Sequence, residues 1–242
     1  MLHLPNITLV TIDTAENALT AFALAKTLEK ITPGNIVIFS NDLNAYTKLN
    51  LDPAETVYRV IPNNLNTTRI YQTLWYEVPK YVNTSHILTV QWDGWVTTPD
   101  LWTNEFLNYD YIGAPWPWHE PNVRVGNGGF SLRSKKLLDL LNTERRLFPF
   151  QLPTDVAICC LYRPQLESFG IKFAPENLAW RFSVEHGNAI FDLNSPSFGF
   201  HDPRNIFTKG LRNWKPAIDE FLSLCGPYAK NKLTTLGVIK NA

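Results

Sequence analysis

Short β-branched apolar runs alternate with longer segments whose apolar residues recur at helical spacing, and this alternation restricts the chain more than any other feature. Ile7 to Ile12 reads as a buried strand ending at Asp13. Ala15 to Lys30 then carries Leu19, Phe22, Ala23, Leu24 and Leu28 on one helical stripe, with Thr14 or Asp13 as its cap. Pro33-Gly34 reads as a break in the chain. Ile36 to Phe39 and Val57 to Ile61 follow as strands, Thr67 to Tyr81 as a helix with Pro79 near its end, and Ile87 to Val90 as a further strand. Strands joined by helices imply an α/β fold, with a mostly parallel sheet covered on both faces. Ligands of such sheets collect outside the carboxyl ends of the strands. Thr11 and Asp13, Asn41 and Asp42, and Gln91 and Asp93 all fall at those ends.

The second half is less regular. Tyr111 to Pro115 reads as a short strand, Trp116 to His119 as a loop, and VGNGGFSL (125–132) as a glycine-rich bend entering a strand. Ser134 is placed to cap a helix from Lys135 to Asn142, and Thr154 or Asp155 opens another through Tyr162. Ile171 to Ala174 and Phe198 to His201 read as short strands. From Phe207 onward Ile218, Phe221 and Leu222 keep helical spacing, followed by a polar end expected to be disordered. No repeat or linker divides the chain. One domain over residues 1–206, with 207–242 as a helical extension packed on it, is the simplest organisation.

At 242 residues and 45% hydrophobic content the chain can bury a full core. Its 22 basic and 22 acidic residues cancel, so no overall field draws it to a nucleic acid or an anionic membrane. No apolar run approaches the roughly 20 residues of a membrane span, and MLHLPNITLV lacks the layout of a signal peptide. Cys159, Cys160 and Cys225 are odd in number and irregularly spaced, which disfavours a disulfide framework or zinc site. A cytoplasmic protein with reduced thiols is expected.

Four segments can carry chemistry. In QWDGW, Asp93 directly follows an apolar strand. A carboxylate there can bind a hard divalent cation that neutralises a diphosphate leaving group, whereas an Asp-Gly turn is the plain alternative. In VGNGGFSLRS the glycines allow close backbone approach to a ligand, and Asn127 and Ser131 add hydrogen-bonding groups; a tight bend explains it equally. Asp155 in PTDVAICC can cap its helix or deprotonate an acceptor hydroxyl. His201 in FGFHD can be a metal ligand or a structural imidazole. Glu185-His186 and His119 are weaker candidates, and there is no GxSxG or other nucleophile constellation.

Taken in order, QWDGW, YDYIGAPW, VGNGGFSLRS, the helix-opening Asp155, FSVEH and GFH resemble a bacterial and viral family of GT-A-like glycosyltransferases classed as a domain of unknown function, over roughly Asn6 to His201. The resemblance implies a GT-A-like (Rossmann-like) mixed, mostly parallel sheet flanked by helices. It implies Mn²⁺ or Mg²⁺ as cofactor, a UDP- or GDP-linked sugar as donor, a hydroxyl-bearing acceptor of unspecified kind, and inversion at the anomeric carbon. Asp93 matches the family's metal signature. Gln91 stands where that signature has its first acid, and an amide suits contact with ribose or sugar better than with a metal. His201 matches the late metal-binding histidine, and Asp155 the general base, with Thr154 where an acidic pair is common. Thr11, Asp13 and Asn41 fall where the nucleoside is held, and Arg69 where it can reach the phosphates or donor sugar. Trp116, Asn127, Gly128 and Gly129 would line the sugar and acceptor pocket. The rivals are a non-catalytic nucleotide-sugar- or carbohydrate-binding protein and a nucleotidyltransferase. LVTIDTAEN offers no cation for the triphosphate that the latter would need.

Overall fold

The computed structural model describes residues 1–62, 67–186, 195–212 and 214–240, with side chains given for all of these except 67–71. The central sheet has six strands: β1 (Leu2–Asp13), β2 (Ile31–Ser40), β3 (Thr56–Val60), β4 (His86–Thr89), β5 (Tyr111–Ile112) and β6 (Leu132–Ser134). Their order is β3-β2-β1-β4-β6-β5. The first four strands in that order run parallel; β6 lies antiparallel to β4, and β5 antiparallel to β6. The expected mixed, mostly parallel sheet with flanking helices is present. From β1 the chain builds outward through β2 and β3, then returns to lay β4 on the other side of β1. The strand order therefore reverses between β1 and β4, and the position outside their carboxyl ends is the crevice in which sheets of this kind bind ligands.

The inner strands read as continuous apolar runs because both faces are covered. On one face Leu9, Ile36, Ile38 and Leu88 pack with Leu19, Phe22 and Ala23 of α1 (Asn17–Leu28). On the other, Val10, Val37, Phe39 and Ile87 pack with Leu74 of α2 (Thr67–Tyr76). Ser134 caps α3 (Lys135–Thr143) as expected, its hydroxyl accepting from the Leu137 N–H at 3.0 Å. The next helices are α4 (Thr154–Val156), which continues as a π turn over Ala157–Leu161, then α5 (Arg163–Ser168) and α6 (Glu176–Phe182). A small parallel pair, β7 (Ser183–Val184) and β8 (Gly199–Phe200), leads into α7 (Lys215–Leu224) and α8 (Pro227–Thr235). Among the described residues no helix is long and apolar enough to cross a membrane.

Four expectations change. Pro33-Gly34 does not break the chain but lies inside β2. β3 joins β2 only from Ile36, so this end of β2 has one neighbour, a setting in which a strand tolerates proline. A Cβ on Gly34 would sit 2.1 Å from the Pro5 carbonyl oxygen, and the β1–β2 register slips beside this contact. The helix expected over Thr67–Tyr81 ends at Tyr76 and resumes as a 3₁₀ turn at Val78–Tyr81, with Pro79 in its first residues. Ile171–Ala174 makes only a single bridge, Phe173 to Tyr111, because β5 is two residues long. The polar end is not disordered in its described part: α8 buries Ala229 and Leu233, four residues apart on one face.

Candidate active site

Asp93 hangs from the loop after β4 into the crevice and is 1% exposed. Its Oδ1 lies 3.1 Å from Nε2 of His201, and its Oδ2 lies 3.2 Å from Nζ of Lys232 on α8. The small β7–β8 pair explains the arrival of His201. Val184 and Phe200 are register partners, so the residues that follow them, Glu185 and His201, emerge side by side. Glu185 Oε1 is 3.0 Å from His201 Nδ1. Asn127 Nδ2 lies 2.9 Å from the same nitrogen, and the Phe130 N–H donates to Asn127 Oδ1 at 3.0 Å, which fixes the amide's orientation.

The glycine-rich bend is shaped around this imidazole. Asn127 takes a left-handed conformation at φ 69°, which asparagine tolerates better than most residues. A Cβ on Gly129 would fall 1.9 Å from His201 Nε2, so any side chain there would occupy the ring's place. Thr89, the last residue of β4, ties the bend to the sheet through its hydroxyl and Ser131 Oγ, 2.9 Å apart.

The site stores balanced charge. Burial opposes ionisation of Asp93, but His201 and Lys232 outweigh it and hold the carboxyl well below the usual range. Burial likewise opposes the His201 imidazolium, yet Asp93 and Glu185 on its two nitrogens raise it to about 10. Burial pushes Glu185 up, and His201 brings it below its ordinary value.

Two atoms stand out. Asp93 Oδ1 and His201 Nε2 are buried and face each other across 3.1 Å as an ion pair, with no further hydrogen-bond partner for either atom. Two adjacent ligands of an octahedral Mg²⁺ or Mn²⁺, each at about 2.1 Å, lie roughly 3 Å apart. The separation of the pair therefore fits a divalent cation, with Asp93 as the hard oxygen donor and His201 able to join it only by giving up its Nε2 proton. A second group, Glu185, His186 and Asp202, also has ligand atoms within 4.8 Å of one another. There Arg204 already occupies Asp202 through bonds of 2.7 and 2.6 Å, which weakens that group as a cation site.

Asp155 lies on the other side of the bend. A Cβ on Gly128 would be 3.6 Å from Asp155 Oδ2. The half-buried carboxylate accepts from the Val156 N–H at 3.0 Å and forms no ion pair among the described residues. Buried Arg133 braces the same bend, donating to Ser131 Oγ at 3.1 Å and to the Gly128 carbonyl at 3.3 Å. Trp116 is also buried. Its ring packs where a Cβ on Gly126 would fall, 2.2 Å away, so it stacks behind the bend.

At the nucleoside end, Thr11 is buried at the end of β1 and its hydroxyl lacks a hydrogen-bond partner. Asp13 is engaged within its own loop. Its Oδ1 accepts from the N–H groups of Ala15 and Glu16 at 2.6 and 2.9 Å, and its Oδ2 from the Thr20 hydroxyl. Asn41 bridges Asn17 and the Thr14 carbonyl. These bonds shape the loop that faces the crevice. Gln91 is half-buried in the loop after β4, and the Arg69 side chain lies outside the described residues.

The structure thus brings together Asp93, His201, Asn127, Gly128, Gly129 and Asp155. Sequence reasoning missed Lys232 entirely and gave Glu185 little weight. The signal for Glu185 was its position one residue beyond a short strand. Lys232 gave none, because it lies in a polar segment 139 residues from Asp93.

No curated protein matches this sequence. Among solved structures, the chain is similar to a glycosyltransferase involved in the glycosylation of the major capsid of PBCV-1, at 14% identity and TM-score 0.46, over 81% of this chain and 92% of that one. It is also similar to glucosyl-3-phosphoglycerate synthase from Mycobacterium tuberculosis in complex with Mn²⁺, UDP and phosphoglyceric acid, at 9% identity and TM-score 0.39, over 55% of this chain and 56% of that one. A mycobacterial protein is similar at 10% identity and TM-score 0.38, over 55% and 54% of the two chains. The model of the family described as "Protein of unknown function (DUF5672)" matches residues 56–201, more than half of the chain and the stretch that carries Asp93, the glycine bend, Asp155, Glu185 and His201; the chain belongs to that family.

Proposed function

We propose that this protein is a glycosyltransferase that moves a sugar from a UDP- or GDP-linked donor to a hydroxyl acceptor, with inversion and with Mn²⁺ or Mg²⁺ held by Asp93 and His201. The carrying observation is the buried pair Asp93 Oδ1 and His201 Nε2, which face each other across 3.1 Å with no further hydrogen-bond partner, at the crevice where the strand order reverses. When bound, the cation supplies charge neutralisation for a diphosphate leaving group. The other roles belong to the chain's own residues. Thr11, with the loop that Asp13 and Asn41 shape, receives the nucleoside. Gln91 is assigned to the ribose or sugar, and Arg69, by its place in the sequence alone, to the phosphates or donor sugar. The bend at Asn127–Gly129, backed by Trp116, forms the wall of the sugar and acceptor pocket. Glu185 and Asn127 hold the His201 ring in place.

Asp155 takes the proton of the acceptor hydroxyl. It stands across the bend from His201, and its carboxylate is uncommitted apart from the local bond to Val156. Removal of a general base costs about 10²–10⁴ in rate. Asp155→Asn should lose that much transfer activity while keeping donor and Mn²⁺ affinity. Near-normal turnover in this variant would sink the assignment.

One observation favours a second reading, a nucleotide-sugar-binding protein without turnover: Lys232 already neutralises Asp93. That reading predicts calorimetric binding of a nucleotide sugar with no release of free nucleotide on prolonged incubation.

A further inference from the structure

α8 arrives at the crevice by a specific anchorage. The carboxylate of buried Glu16, in the loop after β1, accepts from the N–H of Gly226 at 2.9 Å and of Ala229 at 2.8 Å, and so caps the start of α8. Ala229 and Leu233 are buried in the main core. Lys232, between them on the helix, extends over the Trp92 ring, with Nζ 5.4 Å from its centroid, and ends on Asp93 Oδ2. It uses the oxygen that does not face His201, and 37% of its side chain remains exposed. An ammonium on a flexible stem is therefore held at the mouth of the crevice, beside the pair that fits a cation.

Charge explains what it can do there. Asp93 and Glu185 are two negative charges; His201 and Lys232 balance them. A divalent cation on Asp93 Oδ1 makes a second positive partner on the same carboxylate redundant. Lys232 is then free to turn to an anion arriving in the crevice, and its four-carbon stem allows this without movement of α8.

We propose that α8 is part of the donor site and that Lys232 contacts the donor's diphosphate, working beside the cation. The inference rests on the donor reading above and adds to it the residue that binds the phosphate charge. The test is calorimetric titration of Mn²⁺ alone, and of UDP and GDP at saturating Mn²⁺, into the wild type, Lys232→Met and Lys232→Arg, with melting temperatures recorded for each. Lys232→Met is expected to bind Mn²⁺ alone as well as the wild type or more tightly, because a competing cation is gone. Its affinity for the preferred nucleotide should fall about 10-fold or more, and Lys232→Arg should recover most of that loss. Unchanged nucleotide affinity in Lys232→Met overturns the role of Lys232 and leaves the donor reading standing. A wild type that binds Mn²⁺ but neither UDP nor GDP overturns the donor reading, and the role of Lys232 with it. Equal loss of Mn²⁺ and nucleotide binding in both variants overturns the division of labour between them.

Discussion

A single hydrogen atom at position 129 decides whether the imidazole of His201 can reach Asp93. The Cβ of any other residue would lie 1.9 Å from His201 Nε2, and the bend cannot retreat easily because Thr89, Ser131 and Arg133 tie it down. Gly129→Ala should therefore cost about 1–3 kcal/mol of stability by overpacking. More tellingly, it should displace the ring and lower Mn²⁺ affinity at least 10-fold. Wild-type Mn²⁺ titration in this variant would show that His201 is not a ligand. At this scale the sequence singled out Asp93, Asn127, Asp155 and His201 from residue type and flanking motif, and the structure brings these four around one bend. It was silent where the partner is distant and chemically ordinary. Lys232 is one of many lysines, and only the docking of α8 places it on Asp93. Asp13 and Asn41 were expected at the nucleoside, and the structure adds that both spend their hydrogen-bonding groups on the loop itself.

Elements rather than residues hold QWDGW in place. Trp92 and Trp95 flank the Asp93-Gly94 turn and both meet Phe221 of α7, at ring separations of 6.4 Å. Phe221 also packs edge-on against Phe22 of α1 at 5.7 Å and is fully buried. Phe221→Ala removes the ring that joins α7, α1 and this turn. Denaturant unfolding should register a loss of about 3–5 kcal/mol, whereas a loss below about 1 kcal/mol would mean that α7 does not support the turn. The parallel strands were readable because burial on both faces leaves an unbroken β-branched run. Pro33-Gly34 was misread because local turn propensity yields to a sheet end with one neighbour. Within the expected helical extension, α8 itself was read as a disordered polar end, because two buried residues in nine do not make an apolar stripe. Its stability comes from tertiary contacts and from Glu16, far away in the sequence.

At the scale of the whole molecule, the sheet order β3-β2-β1-β4-β6-β5 creates one reversal point, and the groups of the proposal are supplied by elements that surround it. Asp93 enters from the end of β4, Thr11 from β1, His201 and Glu185 from the β7–β8 pair, Asp155 from α4 and Lys232 from α8. The central claim is that this crevice binds a divalent cation and a nucleotide sugar together. Ligands that bind the native state raise its melting temperature by mass action. The direct test is a thermal-shift titration of the wild type and Asp93→Ala with a panel of UDP- and GDP-sugars, each with Mn²⁺ and with a chelator. The predicted result is a rise for at least one nucleotide sugar in the wild type that requires Mn²⁺ and disappears in Asp93→Ala. A rise of equal size in chelator, or one that persists in Asp93→Ala, would contradict it.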